Sequence, residues 1–482
     1  MDVRIRGGLV EAVQPVLAPQ DGEQVVDADG RWLIPGLWDA HVHMQQWART
    51  LQRLDVSGTA GPAEVTTVVA AHVAKLDAGR RPDDVVVGFG YRSAAWSREP
   101  TVSELDAVSG GHPIALVSGD AHNGWLNSAA LRALGLGPRT GPLREAEWFA
   151  VFARLDALPT GQDPVSALPA AAAAAAAKGV VGIVDMELEA GHALWPARVA
   201  AGHDLLRVRT ATYPDGLDDV VSRGLRTGQP AGGTGGLVTM GPLKVIFDGS
   251  VNTRTAYCCE PYENRGDAAG WRGVLNYSEE QLAGLCAAAH RNGLEVAVHA
   301  IGDAAVHLAL DAFERTGAQG SIEHVQLVAR ADVPRFAALG VRASVQPAHL
   351  LDDRDITARL WPDRQDRSFA LRSLLTSGAT LTLGSDAPVA RLDPWQAMAA
   401  AVGRSGDERP AWTAGEALTP QEALASSTDG QGKVTVGSRG DVVLLDDDPL
   451  APMPDAASAA RWLRQLRVAA TFVAGRRTFG LF

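Results

Sequence analysis

The sequence has few cysteines and no excess of positive charge. Its 482 residues include three cysteines, and no pair of them has the C-x-x-C spacing of a metal-binding or redox motif. So few thiols favour a reducing compartment, and we expect the protein to be cytoplasmic. The formal net charge at pH 7 is −12, from 44 Lys and Arg residues against 56 Asp and Glu residues. Because nucleic-acid-binding proteins present a basic surface, the composition argues against nucleic acid as a partner.

Long apolar segments are also missing. The longest, the alanine-rich stretch from Leu168 to Ala177, has about half the length that a membrane-spanning helix needs. The first residues, Met1 to Arg6, lack the apolar region of a signal peptide. We therefore expect no leader and no membrane attachment. Apolar residues still make up 46% of the chain, which is enough for the large core of a globular protein.

The most informative segment is an apolar run that ends in two histidines, at residues 33–44. Side chains alternate between the two faces of a strand, so His41 and His43 are expected to point the same way. Two neutral imidazoles that converge on one point form half of a site for a metal such as zinc. The alternative is a strand end with two polar residues, one of which is simply buried.

From about residue 165 the sequence alternates between short apolar strands and helical patterns. This alternation predicts right-handed βαβ units and a parallel sheet. With the segment that ends at His43, eight strands are predicted, which is the number that closes a (β/α)₈ barrel of the TIM type. The predicted fold class is therefore α/β. The other seven strands are predicted at residues 180–185, 206–210, 243–247, 294–299, 321–324, 341–345 and 380–384.

The two ends of the chain and the segment after the first barrel strand have other patterns. Residues 1–34 and 430–482 contain short strands separated by turns, and we expect them to pair into one small β-sandwich. Residues 35–429 are predicted to form the metal-dependent barrel. Residues 44–160 are irregular and are predicted to be an insertion within the barrel that forms a lid or substrate pocket.

Residues of metal-ligand type recur at the ends of the predicted barrel strands. The active sites of such barrels lie at the C-terminal strand ends, so these side chains are expected to converge. Taken singly, a histidine at a strand end is commonly a hydrogen-bonded scaffold residue, and an aspartate there commonly belongs to a turn or a cap. Together they match a catalytic zinc site, which has three or four nitrogen and oxygen ligands and an open position. The residues are His41, His43, His299, His324 and Asp386, and the fourth predicted strand carries Lys244.

These residues lie in motifs that resemble those of the amidohydrolase superfamily of metal-dependent barrel hydrolases. The resemblance extends over nearly the whole chain. Several motifs are similar to the amidohydrolase-3 branch, which contains N-substituted formamide deformylase, but they do not identify a substrate. The motifs are PGLWDAHVH at 35–43, GDAHNGWLNS at 119–128, FDGS at 247–250, VAVHAIGD at 296–303 and IEHVQ at 322–326.

The resemblance implies one or two divalent metal ions, zinc above all, as the cofactor. In many members of the family a lysine on the fourth strand is carboxylated, and the strand that holds Lys244 is similar to that strand. The alternative for Lys244 is an ion pair inside the barrel, for example with Asp248. The implied ligand set is His41, His43 and Asp386 on one metal, His299 and His324 on the other, and carbamylated Lys244 bridging them.

A metal-activated hydroxide is then the predicted nucleophile, and Asp386 is predicted to act as general base and then as general acid. The expected reaction is hydrolysis of a C–N bond in a small molecule, such as an amide, an N-formyl or N-acyl group, or a cyclic amide. Four further residues are candidates for substrate contact, with the alternative that the tryptophan packs the core of the insertion. They are His122, Trp125, Arg254 and His349.

Other activities remain open at this point. The same site supports hydrolysis of esters, lactones or organophosphates, and the same scaffold supports a metal-dependent isomerase or decarboxylase. A non-enzymatic binding module would be expected to lack ligands, and none of the expected ligands is missing. A homodimer is an open option for the assembly. Specificity lies in loops, so the sequence does not name the substrate.

Overall fold

The computed structural model describes residues 1–51, 53–76, 81, 83–91, 93, 96–118, 123–155, 158, 164–251, 254–263 and 270–480. The chain forms two compact units, one made of Met1–Trp47 with Pro169–Phe482 and the other of Ala48–Leu168. None of the helices in the described residues is both long and apolar enough to cross a membrane.

The first unit begins with a hairpin and two further strands. A two-residue turn, Gly7-Gly8, connects the hairpin strands with φ values of 58° and 81°, which glycine adopts without strain. The hairpin strands pair antiparallel. The elements are β1 (Asp2–Arg6), β2 (Leu9–Gln14), β3 (Trp32–Pro35), β4 (Leu37–Val42) and α1 (Met44–Leu51).

The second unit has a five-stranded sheet and a core of its own. Its elements are β5 (Leu54–Asp55), α2 (Pro62–Val73), β6 (Val86–Tyr91), α3 (Val102–Val108), β7 (Ile114–Ser118), β8 (Asn123–Leu126), α4 (Ser128–Ala133), β9 (Leu143–Arg144) and α5 (Glu145–Leu155). β5, β6 and β7 are parallel, whereas β8 is antiparallel to both β7 and β9. The sequence predicted an insertion at 44–160, and this unit covers Ala48–Leu168.

The chain then returns to the first unit with a regular alternation of strands and helices. The elements are α6 (Leu168–Ala176), β10 (Val180–Asp185), α7 (Gly191–Ala200), β11 (Arg207–Thr212), α8 (Leu217–Ser222), β12 (Val238–Ile246), α9 (Glu279–Arg291), β13 (Val296–Ala300), α10 (Asp303–Thr316), β14 (Gly320–His324), α11 (Val333–Leu339), β15 (Arg342–Val345), α12 (His349–Leu360), α13 (Leu371–Thr376), β16 (Leu381–Leu383), α14 (Pro394–Gly403) and α15 (Pro420–Ala425).

Eight parallel strands form a barrel in this unit. Their order in the sheet is β4-β10-β11-β12-β13-β14-β15-β16, so each strand pairs with its successor in the barrel. Two backbone hydrogen bonds join the last strand end to the first strand, from Asp386 N to His41 O at 2.7 Å and from His43 N to Ala387 O at 2.8 Å. The predicted α/β class with a TIM-type barrel is therefore confirmed.

The barrel strands are nearly continuous apolar runs because helices cover their outer face and side chains fill their inner face. The core lies between these strands and the surrounding helices and includes Val245, Val298 and Ile322. Capping residues in the sequence mark where helices begin, as at α9. Ser278 forms a capping box with Gln281 at the start of α9.

The end of the chain pairs with its beginning. After the barrel come β17 (Val442–Leu445), α16 (Ala456–Gln465), β18 (Val468–Val473) and β19 (Arg476–Phe479). β3 joins these strands in an antiparallel sheet of order β19-β18-β17-β3. The hairpin of β1 and β2 bonds to the same region, because Val10 N donates to Ser438 O at 2.9 Å. The sequence predicted a small β-sandwich from both terminal segments. Both segments do supply strands to the same antiparallel sheet.

Candidate metal centre

The six residues predicted for the metal site lie at or near the C-terminal ends of barrel strands in the first unit. A parallel barrel brings all these strand ends to one side, which is how residues from distant parts of the chain meet. His41 is in β4 with His43 directly after it, Lys244 is in β12, His299 is in β13, His324 ends β14, and Asp386 follows β16.

Two histidines and a carboxylate form a tight group. Asp386 Oδ1 lies 3.5 Å from His41 Nε2 and 3.4 Å from His43 Nε2. Two ligand atoms that each lie about 2.1 Å from a tetrahedral zinc ion are separated by roughly 3.4 Å, so these atoms are spaced as a shared ion requires. Lys244 Nζ lies 3.4 Å from the same His41 Nε2. The structure therefore brings these four predicted ligands together.

Glu323 supports His41 from inside the barrel. Its Oε2 lies 2.7 Å from His41 Nδ1, and its Oε1 accepts a hydrogen bond of 2.5 Å from the Ser321 hydroxyl. Burial alone would raise the pKa of Glu323, but the hydrogen bond from His41, with smaller contributions from Lys244 and Ser321, lowers that pKa to about 2. An ionised acceptor holds the proton on Nδ1, which leaves the Nε2 lone pair of His41 directed at Asp386 and Lys244.

Burial disfavours the charged forms of the basic groups in the cluster. It lowers the pKa of His41 and of Lys244, and it lowers the pKa of His324 well below the ordinary value. Burial, helped by Lys244, lowers the pKa of His299 to about 3. For Asp386, the surrounding histidines, His41 first, overcome burial and hold the pKa of the carboxyl below its ordinary value. Neutral imidazoles and an ionised carboxylate are the forms that bind metals.

Two of the candidate ligands have backbone conformations that residues with side chains rarely adopt. The φ angle is 74° at His324 and 57° at Asp386. Left-handed conformations of this kind typically cost about 1–3 kcal/mol and persist where surrounding contacts impose them. At Asp386 the contact is the backbone hydrogen bond to His41 O. Two of the predicted ligands thus have this rare backbone conformation.

His349, which the sequence indicated as a substrate contact, lies in the same cluster. It is the first residue of α12, and its Nε2 lies 3.8 Å from Asp386 Oδ2. One potential ligand atom from each of His324, His349 and Asp386 lies within 4.8 Å of the other two. The ring of His299 contacts that of His324, with centroids 4.4 Å apart, but its Nε2 faces the Gly249 carbonyl oxygen at 3.2 Å.

The other predicted contacts have different surroundings. His122 lies outside the described residues. Trp125 is fully buried in the core of the second unit, where its indole N–H donates to Thr101 O at 2.8 Å, so it packs that core as the alternative proposed. Arg254 is half-buried in the loop after β12. Among the described residues, Lys244 forms no ion pair with Asp248.

Asp248 anchors the loop that follows β12, a role that the sequence analysis did not assign. Its carboxylate accepts backbone hydrogen bonds from Tyr257 at 2.9 Å, Ile301 at 3.0 Å and Gly302 at 2.9 Å. It is fully buried, and burial raises its pKa to about 7. Its Oδ1 lies 3.5 Å from His299 Nε2. Asp248 thus joins the Lys244 strand to the His299 strand.

Asp39 plays a similar part where the barrel closes. Its Oδ1 accepts the backbone N–H of His41 at 3.1 Å and that of Ser385 at 2.9 Å. Burial raises the pKa of Asp39 to about 6. These bonds fix the turn that holds Asp386 against β4.

Comparison with known proteins identifies the family of the chain. A model of the amidohydrolase family matches residues 24–479. The chain belongs to the amidohydrolase family. N-substituted formamide deformylase from Arthrobacter pascens is 25% identical to it over 94% of this chain and 89% of the relative. Protein LONG AFTER FAR-RED 3 from Arabidopsis thaliana is 27% identical over 95% of this chain and 84% of the relative. An uncharacterized metal-dependent hydrolase from Pyrococcus furiosus has a similar crystal structure, with a TM-score of 0.74 and 26% identity over 93% of this chain and 95% of that chain.

In this amidohydrolase, the donors fit a divalent metal ion. Imidazole nitrogens with carboxylate oxygens are a set that zinc prefers. Among the described residues, His349 Nε2 is a buried ring nitrogen that lacks a hydrogen-bond partner and lies 3.8 Å from Asp386 Oδ2. Buried polar atoms without partners are rare in proteins and call for an explanation such as an ion. The ligand atoms form two groups of three, His41, His43 and Asp386, and His324, His349 and Asp386.

Proposed function

We propose that this amidohydrolase is a metal-dependent enzyme that hydrolyses a non-peptide C–N bond of a small molecule. The observation that carries the proposal is the position of Asp386, which lies 3.5 Å from His41 and 3.4 Å from His43 at the active end of the barrel. Amides, N-formyl or N-acyl groups and cyclic amides all suit this chemistry. The similarity to the Arthrobacter relative, an N-substituted formamide deformylase, supports the same bond class.

His41, His43 and Asp386 would hold the first ion, and zinc suits their donor atoms. A divalent ion bound there supplies a water of lowered pKa and polarises the scissile carbonyl. We further propose that Lys244 is carboxylated: its neutral amine adds to carbon dioxide, forms a carbamate and releases one proton. Burial supports this because it lowers the pKa of Lys244 and favours the neutral amine. The product would place an anionic oxygen close to His41.

Asp386 is proposed to act as the general base and then as the general acid of the reaction. Its pKa is held low, so the carboxylate is ionised and accepts a proton from the attacking water. The carboxylic acid then donates that proton to the leaving nitrogen, which an amide needs because an amide anion is a poor leaving group. Glu323 holds the imidazole of His41 in one orientation throughout. Arg254, half-buried in the loop after the Lys244 strand, is proposed to bind a carboxylate or carbonyl of the substrate.

A substrate panel tests the proposal. Zinc-loaded protein is incubated with N-substituted formamides, N-acyl amino acids and cyclic amides, and in parallel with esters, lactones and phosphotriesters, while released amine, formate and acid are measured. We expect turnover of at least one amide class, loss of turnover in His43→Ala, and a decrease in kcat of at least about 100-fold in Asp386→Asn. His290→Ala, exposed on α9, is the matched control.

The outcomes separate the alternatives. Turnover of esters or phosphotriesters alone would favour the second hydrolase activity. A rearranged or decarboxylated product would favour an isomerase or a decarboxylase on the same scaffold. If zinc-loaded protein converts none of these compounds and His43→Ala binds metal like the wild type, the proposal is wrong.

A further inference from the structure

His43 is held by its backbone, whereas His41 has an acceptor for its ring. The N–H of His43 donates to Ala387 O at 2.8 Å, and its C=O accepts the N–H of Trp47 at 2.8 Å. Glu323 lies beside His41 Nδ1, but in the described part of the chain His43 Nδ1 has no hydrogen-bond partner. The direction of the His43 imidazole therefore depends on the path of the peptide chain on both sides of it.

His43 also occupies the N-cap position of α1, because its C=O accepts the first hydrogen bond within the helix. The first N–H groups of a helix have no partner inside it, and a Ser, Thr, Asp or Asn side chain at the N-cap usually accepts from one of them. An imidazole that is directed at a metal ion cannot do so. The acceptors for the first turn of α1 therefore have to come from another part of the chain.

Two buried carboxylates at the end of β10 supply these acceptors. Asp185 Oδ1 accepts the N–H of Met44 at 3.2 Å, and Glu187 Oε2 accepts the N–H of Gln46 at 3.0 Å. Glu187 Oε1 also accepts from the side-chain amide of Gln46 at 2.9 Å. Anionic groups at the N-terminus of a helix interact favourably with its dipole as well. The first turn of α1 is thus bonded to the next strand of the barrel.

Helix α7 adds two contacts to this arrangement. The indole N–H of Trp195 donates to Asp185 Oδ2 at 2.8 Å, which orients that carboxylate. Arg198, which is also buried, donates from Nη2 to the side-chain oxygen of Gln45 at 2.6 Å. With the two carboxylates, each of the first three residues of α1 is therefore bonded to the segment that runs from β10 into α7.

We propose that Asp185 and Glu187 are positioning residues, which hold His43 in the direction that a metal ligand needs by fixing the first turn of α1. The inference rests on the proposed function, because the ion that His43 binds belongs to it. Without one of the carboxylates, a buried N–H of the turn loses its acceptor, and the turn shifts to reach another one. Such a shift moves His43 relative to Asp386.

Zinc affinity tests the inference without an activity assay. The full-length wild type and the variants Asp185→Ala, Glu187→Ala and Glu187→Gln are loaded with Zn²⁺ in bicarbonate buffer and titrated with a chelator of known affinity. Hydrogen exchange of the metal-free proteins, measured by mass spectrometry on peptides that contain residues 43–47, reports the opening of the turn. Asp455→Ala is the matched control, because Asp455 Oδ1 accepts the N–H of Ser458 at 2.7 Å in the first turn of α16.

We expect Asp185→Ala and Glu187→Ala to lower the zinc affinity by about 10-fold or more, as loss of a group that orients a ligand typically does, and to speed exchange in residues 43–47. Glu187→Gln is expected to recover most of the affinity. Its carboxamide oxygen still accepts the N–H of Gln46, and the side-chain amide of Gln46 can turn to accept from the new NH₂ group. Asp455→Ala is expected to lower the melting temperature and to leave the zinc affinity unchanged.

Wild-type zinc affinity in folded Asp185→Ala and Glu187→Ala proteins would overturn the inference. An equal loss of affinity in Asp455→Ala would also overturn it, because the effect would then follow general stability. If the alanine variants fail to fold, Glu187→Met replaces them, since methionine fills the space of the glutamate and offers no oxygen to accept from Gln46. A folded Glu187→Met protein with the affinity of Glu187→Gln would then count against the inference.

The substrate panel gives a separate answer. If the carboxylate variants lose zinc affinity as expected but the wild type hydrolyses no C–N bond, the positioning role is supported and the proposed reaction is not. If amides are hydrolysed and the folded variants bind zinc like the wild type, the reaction stands and the role of Asp185 and Glu187 is wrong.

Discussion

The Nδ1 atom of His41 and the Oε2 atom of Glu323 lie 2.7 Å apart inside the barrel, and both side chains are 1% exposed. We predict that Glu323→Ala weakens metal binding, because it removes the acceptor that fixes the tautomer of His41 and leaves Nδ1–H buried without a partner. Loss of such a supporting carboxylate typically costs about 10- to 100-fold in metal affinity. Competition with a chelator of known affinity measures the effect.

Two further variants make this prediction specific. Glu323→Gln keeps an oxygen that can accept from His41 and is expected to recover part of the affinity. Ser321→Ala removes only the hydroxyl that bonds to the other oxygen of Glu323, so its effect is expected to be smaller. Equal zinc affinity in Glu323→Ala and the wild type would show that His41 does not depend on this contact.

Most of the barrel could be predicted because hydrophobic periodicity determines it. Each predicted strand lies in a described strand of the eight-stranded sheet or overlaps one. The alternation rule also placed His41 and His43 correctly, since Asp386 Oδ1 contacts both within 3.5 Å. These features depend on residues that are near one another in sequence, which is why the pattern alone indicates them.

The contacts that hold the predicted ligands in place could not be predicted in the same way. Glu323 and His324 are adjacent, and on a regular strand adjacent side chains point to opposite faces, so only one of them is expected inside the barrel. The left-handed backbone at His324, with φ of 74°, breaks this alternation. The position of His349 beside Asp386 depends on where α12 begins. Tertiary packing determines that position. An acidic residue directly before a strand-end histidine was the signal that could have indicated Glu323.

Asp248 is predicted to contribute strongly to stability through three backbone hydrogen bonds. In Asp248→Asn, one oxygen is replaced by an NH₂ group, which cannot accept from the N–H groups that face it. A buried donor left without an acceptor typically costs about 1–3 kcal/mol, and we expect a decrease of that order in the free energy of unfolding. Thermal unfolding monitored by circular dichroism measures it.

Asp407 provides the matched control for Asp248. It is exposed, and its Oδ1 also accepts a backbone N–H, that of Arg409, at 2.9 Å. Because water can replace that bond, Asp407→Asn is expected to change stability by less than about 0.5 kcal/mol. Similar losses in the two variants would contradict the anchoring role of Asp248.

The pair of Arg372 and Glu422 is predicted to make part of the stability depend on pH. The two nitrogens Nη1 and Nη2 of Arg372 each lie 2.6 Å from a different oxygen of Glu422. These hydrogen bonds lower the pKa of Glu422 from 4.5 to about 2. Because the folded pKa is below the unfolded one, the stabilisation is complete above the unfolded pKa and is lost as the pH falls toward the folded pKa.

The side chains are 31% and 30% exposed, so solvent screening limits the contribution to less than about 1 kcal/mol. We expect Glu422→Gln to lower the melting temperature near neutral pH, and we expect the difference from the wild type to shrink as the pH falls from about 5 to about 3. The exposed Glu408→Gln serves as control. A difference that grows in acid would have the wrong sign for this pair.

Lys244 is predicted to carry a carbamate, and isotope labelling tests this directly. The amine is buried beside His41, and burial lowers its pKa although the carboxylates of Glu323 and Asp386 act in the opposite direction. Protein equilibrated with ¹³C-bicarbonate and zinc is expected to show a carbamate carbon in its NMR spectrum, and Lys244→Arg is expected to lose that signal. Lys178→Arg, a substitution at a half-exposed lysine that pairs with Asp393, is expected to retain it. An unlabelled Lys244 together with full zinc occupancy would mean that His41, His43 and Asp386 bind the first ion without the lysine.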